Sequence, residues 1–194
     1  MKQTLLILFV FLAQNAFAAP IPGAINKAKP RLGVYHSPQG FEIATAGSDW
    51  IQSGPPKQTR YIATMFRSPK VHNNMRATLT VRVDQLSSPL KISDYVKRWT
   101  KEYPKVGFDV KGSKAFTMNG NTGYVIDLVN PAKKRQLRQV IFMKDKKAVL
   151  MTCRDHIESF RTSLAECNKM IKSFKWQQAA ATPNKTTAKP VRKS

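Results

Sequence analysis

Residues 160–174 read Phe-Arg-Thr-Ser-Leu-Ala-Glu-Cys-Asn-Lys-Met-Ile-Lys-Ser-Phe, and their periodicity is that of an amphipathic helix. Steps of four, three, four and three residues separate the main apolar positions, which places them on one side of a helix. They are Phe160, Leu164, Cys167, Ile171 and Phe174. A stripe of this width packs against a flat apolar partner. The strand-like segment 148–153 just before it predicts that this partner is a β-sheet.

A second helix is predicted after Ser93, because Ile92, Val96, Trp99 and Tyr103 fall on one side of it and Pro104 ends the run. Ser93 is the expected N-cap of this helix, and Asp94 falls in its positively polarised first turn. The helix is expected to bury one apolar side.

The remaining periodic segments alternate as β-strands do. In the clearest of them, 76–84, apolar residues alternate with Arg and Thr, so one face should be covered and the other exposed to water. The other strand candidates are 34–36, 41–43, 61–66, 108–116, 123–129, 138–143 and 148–153. Several are separated by turn residues and should pair as antiparallel hairpins. Hairpins interrupted by two helices predict an α+β fold, in which an antiparallel β-sheet packs against helices.

The two ends of the chain have compositions typical of segments outside a domain. A basic start, an apolar run and the pattern Ala16-Phe17-Ala18 indicate an export signal, so residues 1–18 are interpreted as a cleaved signal peptide. Residues 19–30 predict a flexible leader, and residues 177–194 predict a disordered basic tail. The domain is then 31–176, no transmembrane segment is expected in the mature chain, and the protein should be periplasmic or secreted.

The charge of the chain is strongly positive, with 33 Lys and Arg against 11 Asp and Glu and a net charge of +22 at pH 7. Such a balance raises encounter rates with anionic partners without choosing among them, and it also keeps a surface soluble. We predict a basic patch where the ends of the last two hairpins come together. Its members are Lys133, Lys134, Arg135, Arg138, Lys144, Lys146 and Lys147. The tail adds Lys185, Lys189, Arg192 and Lys193.

The two cysteines, Cys153 and Cys167, are candidates for a disulfide in an exported chain. Such a bond needs Cα atoms roughly 4.4–6.8 Å apart. A helix that starts with a capping box at Asp155 would carry Cys167 about 18 Å from its start, whereas a helix that starts near Ser163 would bring it within reach. A disulfide and a pair of buried thiols that act as small apolar residues are both compatible with the sequence.

No combination of residues indicates catalysis. His36, His72 and His156 are scattered and lack the spacing of metal ligands. A cysteine nucleophile would need a base beside it, and His156 has an ordinary explanation at a predicted helix start. The sequence contains neither the motif of a serine nucleophile elbow nor a glycine-rich phosphate loop. We therefore predict no enzyme activity, no catalytic residue, no metal and no cofactor.

Three short motifs resemble those of the PsbP-like family, the small α/β/α sandwich proteins found in photosystem assembly and among bacterial exported proteins. Phe41-Glu-Ile43 followed by Trp50 resembles the opening strand and tryptophan of that family. Gly120-Asn-Thr-Gly123 resembles its central hairpin, and Phe160 through Phe174 resembles its closing helix. The resemblance covers about residues 31–176. It implies an α/β/α sandwich and a role in assembly, as a chaperone or as an adaptor, without a shared catalytic motif.

Together these features predict a non-catalytic binding or assembly module of the bacterial envelope that acts through a basic surface. The alternative is an electrostatic binder of anionic envelope polymers or lipids, such as lipopolysaccharide or an acidic glycan. The expected partner is therefore an envelope protein or an anionic polymer, and peripheral contact with a membrane is compatible with both. Nucleic acid is disfavoured, because nucleic-acid readers interleave exposed aromatics with their charges. Core positions are expected here for the aromatics Trp50, Trp99, Phe116 and Tyr124.

Overall fold

The computed structural model describes residues 33–45, 47–54 and 61–177. The predicted signal peptide, the leader and the tail positions Lys185, Lys189, Arg192 and Lys193 lie outside the described residues. In chain order the elements are β1 (Val34–Ser37), β2 (Phe41–Ala44), β3 (Ile51–Ser53), β4 (Ile62–Arg67), β5 (Thr78–Gln85), α1 (Ile92–Glu102), a 3-10 turn (Pro104–Val106), β6 (Asp109–Met118), β7 (Asn121–Asn130), β8 (Arg135–Lys144), β9 (Lys147–His156), α2 (Phe160–Lys172) and β10 (Lys175–Trp176).

Seven antiparallel strands form the large sheet, in the order β3-β4-β5-β9-β8-β7-β6. Tight turns connect β6 to β7 and β8 to β9, and positive φ values occur in them at Asn119, Gly120 and Asp145. Asn, Asp and Gly adopt this conformation at low cost, which is why these turns close the hairpins. The predicted hairpins are confirmed, and β8 and β9 each have 10 residues, which is longer than the sequence indicated.

One face of the large sheet, here called the α2 face, is covered by α2 and by a small sheet of order β1-β2-β10. Phe160, Cys167 and Ile171 from the predicted stripe are buried there. Phe174 is fully buried and stacks on Phe142 of β8, with ring centroids 4.3 Å apart. The stripe therefore meets a sheet, as its periodicity predicts.

The opposite face, here called the α1 face, is covered by α1. Tyr95 and Val96 are buried in one apolar cluster with Ile126, Ile141 and Leu150 of the sheet. Helices thus lie on both faces of an antiparallel sheet, and the predicted α+β fold with an α/β/α sandwich is confirmed.

The start of α1 differs from the prediction. The helix begins at Ile92, and the preceding Lys91 is extended and makes no cap hydrogen bond through its side chain. Ser93 therefore lies inside the first turn and is not the N-cap. Asp94 remains in the first turn, as expected.

The start of α2 also differs from both predicted alternatives. The helix begins at Phe160, and the preceding Ser159 makes no cap hydrogen bond through its side chain. Asp155 still belongs to β9, and its carboxylate accepts a hydrogen bond from the hydroxyl of Ser163. Both residues are buried. The two residues interpreted as helix caps therefore connect a strand to the helix packed on it.

A disulfide joins Cys153 of β9 to Cys167 of α2. The Cα atoms are 6.1 Å apart, inside the range that such a bond needs. This short distance arises because α2 returns over β9, so that Cys167 in the second turn of the helix lies above the strand. The alternative of two buried thiols does not describe the structure.

The second face of β5 is less exposed than its sequence predicts. Thr78 has only 5% of its surface exposed. Further along the strand, the guanidinium of Arg82 lies over the ring of Trp99 from α1, at 5.1 Å from its centroid. The polar side chains of β5 therefore face α1 and neighbouring side chains. The prediction that this face of the strand is exposed to water is wrong there.

Candidate binding surface

Two hollows adjoin toward the end of the large sheet where the β8–β9 turn lies. The first has a volume of about 590 Å³ and is lined by parts of β4, β5 and α1. The second has a volume of about 670 Å³ and is lined by the β1–β2 turn, the β8–β9 turn and Trp176. Gln39 and Gln85 line both hollows, and the side-chain amide of Gln85 donates to the amide oxygen of Gln39 over 3.0 Å. We call the two hollows together the hairpin-tip surface.

A charged network forms the wall of the first hollow. Arg82 donates two hydrogen bonds to the carboxylate of Asp84, over 2.6 and 3.1 Å, and the hydroxyl of Tyr95 donates to the same carboxylate over 2.6 Å. Burial, together with the bond to Asp84, raises the pKa of Tyr95. Three charge-assisted donors thus occupy the carboxylate, which makes this network a positioning element and leaves Asp84 poorly placed to act as a base.

Aromatic rings flank the same network. The guanidinium of Arg82 lies between two of them, 5.3 Å from the ring centroid of Tyr61 and 5.1 Å from that of Trp99. Tyr61 is 58% exposed. The first hollow therefore presents the exposed ring of Tyr61 and the exposed guanidinium of Arg98 to a partner, a combination that suits a protein segment better than a purely polar ligand.

The second hollow has a rim of lysines. Lys144 and Lys146 are exposed, and Lys147 donates a hydrogen bond from its ammonium to the backbone carbonyl of Gln39. Asp145 is the acidic residue of this turn. The rim keeps two exposed positive charges beside the ring of Trp176, so it favours an anionic group.

The predicted basic patch is divided into two groups by the structure. Lys133, Lys134 and Arg135 lie at the turn before β8, whereas Lys144, Lys146 and Lys147 lie at the turn after it. The strand between them has 10 residues and therefore holds the two turns about 30 Å apart. The expectation that these turns are neighbours is wrong, because both hairpins share β8 and their turns must lie at its opposite ends.

Arg138 belongs to neither group. It lies inside β8 and donates two hydrogen bonds to the carboxylate of Asp127 on β7, over 2.7 and 2.8 Å. These bonds raise the pKa of Arg138. Because Asp127 compensates its charge, Arg138 adds little to an anion-binding surface.

The three histidines stay apart. His36 lies 3.4 Å from Glu42, and His156 lies 3.8 Å from Glu158, while His72 forms a backbone bridge with Met75 in a loop. Across the described ranges, no group of three or more His, Cys, Asp and Glu side chains is arranged to hold a metal ion.

The first hollow has no motif in the sequence that predicts it, although two pairs of residues in its wall carry a local signal. Arg82 and Asp84 are two residues apart in a strand, so they share a face and can pair. Tyr95 and Trp99 are four residues apart in a helix and likewise share a side. Gln39 and Gln85 carry no such signal, because only the tertiary fold brings them together.

The same architecture occurs in known structures. The chain aligns with the solution structure of cyanobacterial PsbP (CyanoP) from Synechocystis sp. PCC 6803 with a TM-score of 0.56 and 14% identity, over 81% of this chain and 99% of that one. The chain has a PsbP-like fold. The comparison with protein-family models gives no match, and neither does the comparison with curated proteins.

Two further structures share this PsbP-like fold. A Pseudomonas aeruginosa protein of unknown function, PA94, aligns with a TM-score of 0.52 and 16% identity, over 72% of this chain and 93% of that one. LpqN, involved in cell envelope biogenesis of Mycobacterium tuberculosis, aligns with a TM-score of 0.50 and 12% identity, over 71% and 91%. Within the described part of the PsbP-like chain, every helix is too short or too polar to cross a membrane.

Proposed function

We propose that this chain is a non-catalytic binding or assembly module of the bacterial envelope, and that it engages a partner protein through the hairpin-tip surface. The observation that carries the proposal is the junction of the two hollows at Gln39 and Gln85. An aromatic and cationic hollow there continues into a lysine-rimmed one. A partner that fills both needs apolar side chains at one end and acidic groups at the other.

The chemistry of this surface supports binding more than catalysis. The carboxylate in the wall of the first hollow, that of Asp84, is occupied by donors from Arg82 and Tyr95. An exposed aromatic ring beside a guanidinium, such as that of Tyr61, is typical of the residues that dominate the energy of protein interfaces. Exposed lysines at a rim contribute mainly to the association rate and to orientation.

Several observations support a role in the envelope. The first 18 residues have the pattern of an export signal, and the disulfide between Cys153 and Cys167 suits an oxidising compartment. LpqN, which shares the fold, is involved in cell envelope biogenesis. The periplasm, or the exterior of the cell, is the compartment that we propose.

The alternative function, electrostatic binding of an anionic polymer such as lipopolysaccharide, is favoured by a different observation. Exposed lysines occur at both ends of β8, about 30 Å apart, and the net charge of the chain is +22. A long polyanion can contact charges distributed in this way, whereas a compact protein partner uses one surface.

A charge-reversal experiment separates the two functions. The variant Lys144→Glu/Lys146→Glu changes the exposed rim and leaves the hydrogen bond from Lys147 to Gln39 in place. The control Lys101→Glu/Lys114→Glu makes the same change in charge at exposed positions outside both hollows. Capture of proteins from an envelope extract and binding to purified lipopolysaccharide are measured for each variant at low and high salt.

A protein partner recognised at the hairpin-tip surface should be lost with the first variant and kept with the control. Raising the salt should reduce mainly its association rate. Binding to lipopolysaccharide should fall equally in both variants and should weaken steeply with salt. If both variants capture the same proteins as the unmodified chain, the hairpin-tip surface is not the interface.

A further inference from the structure

A row of three arginines crosses four neighbouring strands of the α1 face, at the sheet end opposite the hairpin-tip surface. Arg67 of β4 is opposite Thr78 of β5, and Thr78 is opposite Arg154 of β9. Arg154 is opposite Leu137 of β8, and Arg135 precedes Leu137 by two residues. Directly opposed residues, and residues two apart in one strand, point to the same face. The three guanidiniums and the threonine hydroxyl therefore share one side of the sheet.

The spacing within the row suits a single small ligand. Adjacent strands lie about 4.8 Å apart, so Arg67 and Arg154 are separated by roughly 10 Å across Thr78. Arg135 is a diagonal neighbour of Arg154, at about 7–8 Å, a distance that long side chains bridge. Arg67 is exposed, and Arg135 and Arg154 are partly exposed, so the row is accessible to solvent.

The row has no acidic partner, unlike the other arginines inside the sheet. Arg82 is paired with Asp84 at 2.6 Å, and Arg138 is paired with Asp127 at 2.7 Å. All 11 acidic side chains of the sequence belong to the described residues, and none of them forms an ion pair with a member of the row. Glu158 lies near this sheet end, but Asn73 and His156 contact its carboxylate.

Within the described part of the chain, two buried polar atoms of the row have no hydrogen-bond partner. They are the Nε atom of Arg154 and the Oγ1 atom of Thr78, which belong to directly opposed residues. Thr78 is 5% exposed. Burial, with the positive charges of Arg135 and Arg67 nearby, lowers the pKa of Arg154. Folded proteins normally pair a charge that is partly removed from water. The described residues supply no such counter-charge to this row, so a bound anion would complete it.

We propose that Arg67, Arg135 and Arg154, with Thr78 between them, form a binding site for a phosphate-type oxyanion. Guanidinium groups bind tetrahedral oxyanions through paired N–H donors, and three of them together favour a doubly charged group over a single carboxylate. The exposed Lys133 at the adjoining turn adds positive potential. The same chemistry is present in free phosphate and in the phosphate headgroup of a lipid. This site is independent of the proposed function, because it lies at the other end of the sheet.

The test measures inorganic phosphate binding to the full chain by calorimetry, with chloride used to keep the ionic strength constant. Arg154→Gln is expected to weaken binding about tenfold or more, because it removes a charge-assisted donor pair. Arg67→Gln, at an exposed position where folding should be unaffected, is expected to weaken it several-fold. The matched control is Arg161→Gln on the exposed side of α2, which should bind phosphate as the unmodified chain does.

A second readout is thermal unfolding, because a ligand that binds only the folded state raises the melting temperature. Phosphate should stabilise the unmodified chain and Arg161→Gln, but not Arg154→Gln. Vesicles of phosphatidylcholine with and without phosphatidate then identify the source. Phosphatidate vesicles that compete with free phosphate indicate a lipid headgroup, and vesicles that do not compete indicate a soluble phosphate compound. No phosphate binding by the unmodified chain, or equal binding by all variants, overturns the proposal.

Discussion

Loss of the disulfide between Cys153 and Cys167 should destabilise the domain by about 3 kcal/mol. The two cysteines are 14 residues apart in sequence. In the chain-entropy model, a cross-link that closes a loop of this size restricts the unfolded chain by about 3 kcal/mol at 25 °C. Each kcal/mol lowers the melting temperature of a chain of this size by roughly 2–4 °C, so the expected decrease is about 6–12 °C.

The assay compares thermal unfolding of the oxidised and the reduced chain. The control is Cys153→Ala/Cys167→Ala, whose melting temperature should not change with reductant. Alanine is preferred to serine because both positions are completely buried, and burying a hydroxyl there would cost stability. Equal melting temperatures for the oxidised and reduced chain would refute the reasoning. Two titratable thiols in the unfolded, unreduced protein would show that the bond is absent.

Two further predictions follow from packing and burial. Gly123→Ala should destabilise the fold by about 1–3 kcal/mol, because the added Cβ would lie 2.6 Å from a ring carbon of Phe116. The control is Gly112→Ala, whose added Cβ would have no atom within 4 Å. Equal denaturation midpoints for the two variants would contradict the prediction. Burial raises the pKa of Tyr103 to about 12, so the folded state keeps the phenolic proton up to a higher pH than the unfolded state does. The stability of the fold should therefore fall as the pH rises from about 10 towards 12. Tyr103→Phe should flatten that fall in alkaline denaturation curves, and an unchanged slope would contradict the assignment.

The parts of the fold that could be predicted are those with local causes. The stripe from Phe160 to Phe174 needs only helical spacing to identify a buried side, and the hairpin turns need only Asn, Asp or Gly at the right position. The helix starts could not be predicted in this way. Asp155 and Ser163 look like caps in the sequence, but they bond to each other across a strand and a helix, and this tertiary contact outweighs their local preference.

The binding surfaces were harder to predict because both depend on how strands align. Lys134 and Lys146 are near each other in the sequence, but the ten residues of β8 separate them in space. The arginine row depends on the pairing of four strands from distant parts of the sequence, and no single segment contains its signal. The first hollow was partly accessible, since Arg82 and Asp84 share a face of one strand.

The two-residue strand β10 has a consequence for how the molecule is made. It supplies the third strand of the small sheet by pairing with β2, and the hydroxyl of Ser173 beside it bonds to both the backbone N–H and the carbonyl of Ala44. An isolated pair of strands is marginally stable in water. A nascent chain emerges with its N-terminus first, so it displays β1 and β2 as an incomplete apolar ribbon until Trp176 is released. The pairing of β1 with β2 is therefore stabilised only after the last residues of the domain have been synthesised. A chain whose synthesis stalls before that point should be a substrate for chaperones and proteases.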